Sequence, residues 1–266
     1  MSDYRAKKRL GQNFLKSKAI VDRVLGLVAP GKNDCIVEIG PGRGALTMPL
    51  AESSASVWAI EFDRDLILYL ASLLTNYPNV RLINGDFLDF DPTAANLDRF
   101  KLVGNLPFNI TSPVLDWCLK YRDRLECAVL MVQRELGARI AGSPGSKDWS
   151  PLAIFTQSAF RVERCFDVAP SHFIPVPEVT STVLRLIPHA KPLVPVSTQF
   201  EKVVRASFRQ RRKLLVNNLI PEVIPDGFTA TEILNKIGLG GKARAEEVTI
   251  EQFLQLTTEL LERKLI

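Results

Sequence analysis

Histidine is almost missing from the chain: its 266 residues hold two, His172 and His189, and neither sits in a serine or cysteine nucleophile motif. A His-centred triad and a His-rich metal site are therefore disfavoured. The four cysteines, Cys35, Cys118, Cys127 and Cys165, are scattered with no C-x-x-C among them. That spacing suggests neither a disulfide framework nor a zinc site, and buried free thiols are the simpler reading. No stretch approaches the roughly 18 uninterrupted apolar residues of a membrane helix. The opening segment carries charge where a secretory signal would be apolar, so the expected location is the cytoplasm. Repeats and low-complexity segments are lacking as well.

What remains is the composition of an ordinary globular protein, 46% hydrophobic and 24% charged. The length fits one large domain and a small one. The net charge is a modest +5 with a pI near 9.1, but it is unevenly spread. "RAKKR" (5–9) and "RASFRQRRKLL" (205–215) hold the densest basic clusters, and uneven basic charge bears on the choice of partner.

Along the chain, Ile20, Val21, Val24, Leu25 and Val28 recur at helical spacing and predict an amphipathic helix that ends near Pro30. "CIVEIG" (35–40), "SVWAIE" (56–61), "VRLING" (80–85), "FKLVGN" (100–105) and "CAVLMV" (127–132) read as buried strands. The segments between them are long enough for crossover helices, which predicts a parallel α/β sheet. "FTQSAFRVERCFDV" and "TSTVLRLIPH" are β-rich with no clear helix between them, and read as an antiparallel addition at the sheet edge. After Pro188, Pro192 and Pro195 the composition turns helical and basic. The expected division is therefore a domain over 1–190 and a small helical domain over 191–266.

In "VEIGPGRGALT", Gly40, Gly42 and Gly44 stand at a strand-to-helix turn, where a ligand can approach the backbone and the helix N-terminus offers free N–H groups. Gly40, Gly42 and Ala45 also satisfy the dinucleotide pattern G-x-G-x-x-G/A, so NAD stays open from this motif alone. Glu61, about twenty residues on, ends the second strand, where an acid accepts from ribose hydroxyls. Asp86 ends the third, placed to accept from an adenine amine. A lone acid at such a position is more often a helix cap. The ordered series of glycine turn, Glu61 and Asp86 at successive strand ends favours a nucleoside-containing ligand, since open α/β sheets bind ligands at that edge.

The fourth strand runs into "NLPF" (105–108). With the preceding series, this tetrapeptide resembles the signature of S-adenosylmethionine-dependent N6-adenine methyltransferases. An adenine N6 has its lone pair delocalised into the ring, so it needs positioning and polarisation more than a strong base. The Asn105 side-chain oxygen and a backbone carbonyl near Leu106 can accept its two N–H bonds. Pro107 stiffens that carbonyl, and Phe108 offers a face for the target base, worth roughly 1–3 kcal/mol per stacked base.

The resemblance then narrows. "GQNFL", "NLPFNITSPV", "MVQRELGARIAGSPGS", "FIPVPEVTSTVLRL", "RASFRQRRKLL" and "RAEEVT", in this order over nearly the whole chain, resemble the KsgA-type ribosomal RNA small-subunit adenine dimethyltransferases. The resemblance implies a Rossmann-like class I S-adenosylmethionine methyltransferase domain followed by a small helical domain. It implies dimethylation of two adjacent adenosines in a hairpin near the 3′ end of small-subunit (16S) rRNA, within a pre-30S particle. Carried over by motif, Asn13 and Leu15 lie over the methyl donor and Gly40 and Gly42 beneath it. Glu61 binds its ribose, Asp86 its adenine, and Asn105 stands between donor and target amine. Phe108 departs from the tyrosine common in bacterial members; stacking survives the change, and a hydroxyl role does not.

For RNA, Arg205, Arg209, Arg211, Arg212 and Lys213 have no acid among them in sequence, and Phe208 and Leu214-Leu215 suggest a helix with one buried stripe and a basic outer face. Phosphate contacts are the expected role. Phe173, beside "PVPEV", is a second candidate for base stacking. No metal is expected, and the expected state is a monomer. The rival readings are a large-subunit rRNA methyltransferase of the macrolide-resistance type, an assembly or transcription factor on the same fold, and a dinucleotide oxidoreductase, which would leave NLPF and the basic segment unexplained.

Overall fold

A computed structural model describes residues 6–7, 10–54, 56–194 and 197–266. In chain order its elements are β1 (Phe14–Leu15), α1 (Lys18–Val28), β2 (Cys35–Ile39), α2 (Thr47–Ser53), β3 (Ser56–Glu61), α3 (Arg64–Leu73), β4 (Val80–Asn84) and β5 (Phe100–Asn105). Next come α4 (Thr111–Lys120), β6 (Leu125–Gln133), α5 (Arg134–Ile140), α6 (Pro151–Ala159), β7 (Phe160–Val168), β8 (Phe173–Ile174) and β9 (Ser181–Pro188). The chain closes with α7 (Thr198–Ser207), α8 (Leu215–Leu219), α9 (Gly227–Lys236) and α10 (Ile250–Glu262).

Seven strands form one sheet in the order β4-β3-β2-β5-β6-β9-β7. The first five pair in parallel, and β9 lies antiparallel to β6. The apolar runs are long because β2 and β5 are covered on both faces, as parallel strands with crossover helices are. The α1 stripe of Ile20, Val21, Val24 and Val28 is buried with Ile36, Val57, Val103 and Val129 of the sheet. Helix and sheet periodicities therefore meet in one core. The β-rich stretch expected from residue 155 begins only at Phe160, because 155–159 complete α6.

Two compact units emerge, Met1–Gly137 with Arg161–Pro188, and Ala138–Phe160 with His189–Ile266. A single division near residue 190 therefore does not hold: 138–160 belongs with the second unit. The reason is packing. Trp149, Ala153 and Ile154 are buried with Phe200, Val204, Leu219 and Phe253 of that unit. Trp149 also donates its indole N–H to the Val248 carbonyl at 2.9 Å.

The predicted helix over 205–215 is also corrected. Helix α7 stops at Ser207, and 208–213 are turn and bend. Asn218 on α8 is the cause: fully buried, it accepts from the Gln210 N–H at 3.2 Å and donates to the carbonyls of Ser207 at 2.8 Å and Gln210 at 3.1 Å. A local side chain thus replaces the helical partners of those backbone groups. Asn218→Ala should strip the buried Ser207 carbonyl and the Gln210 N–H of their side-chain partner, while the Gln210 carbonyl keeps the Lys213 N–H at 2.9 Å, and cost about 2 kcal/mol. Denaturant titration of both proteins measures this, and a loss below about 0.5 kcal/mol would mean that water takes over the three bonds.

Glu38 on β2 is the second buried polar feature, 2% exposed and with no hydrogen-bond partner for its Oε2. Burial pushes its pKa from 4.5 up to about 8, the Glu61 charge adds to the rise, and the Thr47 hydroxyl opposes it. The folded state therefore keeps a proton that the unfolded chain has released. Stability from this group is fully present below the unfolded value and lost as pH rises toward the folded one. Replacing Glu38 by Gln should flatten the loss of stability between about pH 5 and pH 8; unfolding midpoints that fall equally steeply in both proteins would contradict the assignment.

Candidate active site

The parallel register sets the geometry of the site. Ile39 aligns with Ile60 and Gly104, Glu61 with Asn84, and Asn105 with Met131. Asp86, Glu61, Gly40 and Asn105 consequently follow one another along the carboxyl edge of the neighbouring strands β4, β3, β2 and β5. The chain continues from β2 to β3 on one side and reaches β5 on the other, so β2 marks the switch point where open α/β sheets bind ligands. A cavity of about 370 Å³ opens there, and all four residues line it.

The turn after β2 needs glycine. Gly40 and Gly42 have φ of 60° and 57°, in the left-handed region. A Cβ at Gly40 would meet nothing within 4 Å, so its open side faces free space, whereas a Cβ at Gly42 would come within 2.9 Å of the Phe14 ring. Glu61 ties this turn to β3. Its Oε2 accepts from the Gly42 N–H at 3.1 Å and its Oε1 from the Asp63 N–H at 2.9 Å. The carboxyl is buried, which raises its pKa, while the two backbone donors pull the other way. Each oxygen keeps a further lone pair for a hydroxyl donor. Asp86 is exposed, lines the cavity, and caps the turn Phe87–Asp89 through the Leu88 N–H at 2.9 Å.

Residues 10–15 pass over this edge. Gln12 donates to Asp63 Oδ2 at 3.0 Å, and β1 pairs with β8, placing Leu15 opposite Phe173. Asn13 presents its carbonyl to the Asn105 Nδ2 at 2.9 Å. That bond fixes the Asn105 amide with its nitrogen occupied, and the oxygen is the atom left to accept. Leu106 is buried and its N–H donates to the Met131 carbonyl at 2.9 Å, anchoring the tetrapeptide to β6. Pro107 has φ −57° and ψ 146°, an extended backbone conformation. Leu106 and Pro107 both line it.

Some expected site residues are arranged differently. The side chain of Phe108 lies outside the described part of the structure. Phe173 lines the cavity but is 1% exposed, packed in the core with Leu15 and Val183. No face of its ring is open for a base, because the β1–β8 pair covers it. In the "RAKKR" segment, Arg5, Lys8 and Arg9 lie outside the described residues, and Lys7 is bound by Asp63 and Asp65, each at 2.7 Å. Those carboxylates hold its ammonium above the ordinary lysine range.

The basic segment is less uncompensated than its sequence suggests. Arg205 pairs with Glu201 at 2.7 Å, Arg209 with Glu222 at 3.2 Å, and Arg211 with Glu246 at 3.7 Å. Arg212 and Lys213 are exposed and have no acidic partner among the described residues. Reading the sequence had overlooked Glu38, whose buried carboxyl lines the cavity. The signal was present, since an acid inside the apolar run "CIVEIG" is out of place unless something in the site uses it.

Among known proteins, the model of the ribosomal RNA adenine dimethylase family matches residues 4–262. The ribosomal RNA small subunit methyltransferase A of Nitrosococcus oceani is 41% identical over 258 residues, 96% of each chain. Its namesake from Geobacter sulfurreducens is 40% identical, covering 97% of this chain and 96% of its own. Of solved structures, the 23S rRNA methyltransferase ErmE superposes with a TM-score of 0.76 at 31% identity, over 93% of this chain and 99% of its own. A dimethyladenosine transferase from Plasmodium falciparum reaches 0.83 at 23% identity, over 94% of this chain and 98% of its own, and shares the fold. With the glycine turn, the two acids and NLPF on one sheet edge, the chain belongs to the ribosomal RNA adenine dimethylase family, enzymes that use S-adenosylmethionine as methyl donor.

Proposed function

We propose that this chain transfers methyl groups from S-adenosylmethionine to N6 of two adjacent adenosines in the 3′-terminal hairpin of small-subunit (16S) rRNA, giving N6,N6-dimethyladenosine during 30S assembly. The observation that carries the proposal is the order along one sheet edge: Asp86, Glu61, Gly40, then Asn105. It follows the order of an adenine, a ribose, a methionine chain and a target amine. The residues fit the donor. Gly40 leaves its open side to the cavity, Glu61 keeps acceptor capacity for a diol, and the unpartnered Oε2 of Glu38 belongs to a cavity-lining carboxyl that a cationic group would satisfy. Asn13, Leu15 and Gly42 complete the enclosure.

When bound, the donor supplies an electrophilic methyl on a sulfonium. The protein's part is with the nucleophile. The Asn105 oxygen and the carbonyl that Pro107 stiffens accept the N6–H bonds and raise electron density on the nitrogen, and positioning supplies much of the rest. The Phe108 ring is the proposed stacking face. Arg205, Arg209, Arg211, Arg212 and Lys213 are proposed to meet phosphates, with Arg212 and Lys213 the foremost because no acid neutralises them. The natural substrate is rRNA within a pre-30S particle, since two adjacent bases in a folded hairpin need that particle to present them. The enzyme acts as a monomer in the cytoplasm. Among the described residues no helix is long and apolar enough to cross a membrane, and no cluster of metal-ligating side chains occurs.

The test is transfer of labelled methyl to 30S subunits lacking the modification, with a 50S control and digestion to nucleosides. N6,N6-dimethyladenosine in the 30S sample alone is expected. Label in 50S would support the large-subunit reading, which the 31% identity to a 23S rRNA methyltransferase makes the second candidate. Asn105→Ala should leave donor affinity within about threefold and lower turnover by at least about a hundredfold; methyl transfer near the wild-type rate would remove the role given to NLPF.

A further inference from the structure

The second unit contains a cleft of which the methyl-transfer reading uses only two arginines, Arg205 and Arg211. It has a volume of about 300 Å³ and is lined by Arg139, Trp149, Ser150, Pro151, Arg205, Phe208 and Arg211. It lies where helix α6, nine residues long, begins. Ser150 is the N-cap residue of that helix, yet its hydroxyl caps nothing: it is 8% exposed and its Oγ has no hydrogen-bond partner. A serine at this position ordinarily accepts from a first-turn N–H. Pro151 at the first helical position has no N–H, so the donor that this helix start offers the cleft is the buried, unpartnered Ser150 hydroxyl, a group suited to an anion's oxygen.

The surroundings agree on the sign of the charge. Three guanidinium groups line the cleft from separate parts of the chain. Arg205 is paired with Glu201 and lies over the Phe155 ring, with 5.3 Å to its centroid; Arg211 is paired with Glu246 and donates to the Lys147 carbonyl. Arg139, on the last turn of α5, is exposed and has no ion-pair partner among the described residues. Gln157 on α6 donates to the carbonyls of Ile140 at 2.9 Å and Gly142 at 2.7 Å, so the end of α5 that carries Arg139 is tied to α6. Trp149 forms a rigid wall, held by its own bond to Val248. Three cations against two carboxylates, at a helix start with an idle hydroxyl, leave one positive charge, the guanidinium donors and that hydroxyl for a ligand.

We propose that this cleft is a phosphate-binding site, with Arg139 as its principal cation, the Ser150 hydroxyl as its neutral donor, and Arg205 and Arg211 at its rim. The planar, multi-donor guanidinium suits a phosphate better than a carboxylate-free surface lysine would. The phosphate comes from the RNA backbone or from a free phosphate ion, and the two sources give different results below. The first source rests on the reading of the protein as an rRNA enzyme; the second does not.

The experiment compares the full-length protein with Arg139→Ala, Arg139→Lys and Ser150→Ala. Each is titrated with 30S subunits lacking the modification over a range of salt concentrations. A single lost phosphate contact lowers the slope of log affinity against log salt by roughly 0.7 to 0.9. The expected result is that loss in Arg139→Ala, restoration of the slope in Arg139→Lys, and an affinity reduced about threefold or more in Ser150→Ala with the slope kept. The circular dichroism spectrum and the thermal midpoint without phosphate check that each variant is folded. Inorganic phosphate is added in parallel while thermal unfolding is followed. If it raises the midpoint of the wild type and not of Arg139→Ala, and the RNA slopes coincide, the site stands and its ligand is the free ion. Wild-type RNA binding with the same slope in Arg139→Ala, and no differential stabilisation by phosphate, would overturn the proposal. Failure of the wild type to bind or methylate RNA at all would instead count against the rRNA reading, leaving the phosphate arm to decide the cleft.

Discussion

The Glu61 carboxylate is the bond on which the first unit's site depends. With one oxygen on the Gly42 amide and the other on the Asp63 amide, it joins the glycine turn after β2 to the end of β3. Asp63 passes the constraint on. Its carboxylate receives Gln12 and Lys7, which hold the chain leading into β1 against the same edge. From Gln12 the next residue, Asn13, places its carbonyl on the Asn105 amide nitrogen. A continuous set of hydrogen bonds thus runs from the cradle under the donor to the group proposed to face the nucleophile. The inner members, Glu61 and Asp63, each hold two segments at once, whereas Asn105 stands at the end of the network.

That network also accounts for the burial of two acids where apolar side chains would be cheaper to place. Glu61 is compensated by backbone donors, and Glu38 is compensated by little and favours its proton. A buried carboxyl with an idle oxygen is a cost to folding. The cost is rational if the second charge arrives with the ligand, since a cation entering the cavity would pull the Glu38 equilibrium back toward the carboxylate. Stability and binding are then coupled through one group, and the site is less stable without its ligand than a purely apolar strand end would be.

Much of this was legible in the sequence, for identifiable reasons. Parallel strands covered on both faces leave uninterrupted apolar runs, and the residues ending those runs are the ones that share an edge, so Gly40, Glu61, Asp86 and Asn105 could be placed before any coordinates. What could not be read depends on partners distant in the chain. The helical propensity of 205–215 says nothing of Asn218, whose buried amide draws the backbone into a turn. The basic run looked uncompensated because Glu222 and Glu246 lie outside it. Phe173, next to a proline-rich stretch, looked exposed until β1 paired across β8. The segment 138–160 was assigned by position along the chain, whereas Trp149 and Ile154 assign it by what they touch.

The scarcity of histidine acquires its meaning from the same geometry. His172 contributes a backbone carbonyl to Lys16, His189 brings its ring nitrogen to within 3.0 Å of the Gln157 carbonyl, and neither lines the cavity. No imidazole is therefore placed to take a proton from the target amine. A weakly basic aromatic amine attacking a sulfonium methyl does not require one: the electrophile is activated by its own charge, and the nitrogen becomes acidic only as the new bond forms, when water can remove the proton. What the reaction does require is an amine held on line, with its hydrogens drawn aside so that the lone pair points at carbon. In the proposed arrangement, an amide fixed by Asn13 on one side and a proline-stiffened carbonyl on the other meet that requirement without any titrating group. The rate should then depend on the position of acceptors whose charge does not change over the working pH range, which is a reason for this edge to use asparagine where hydrolytic enzymes use histidine.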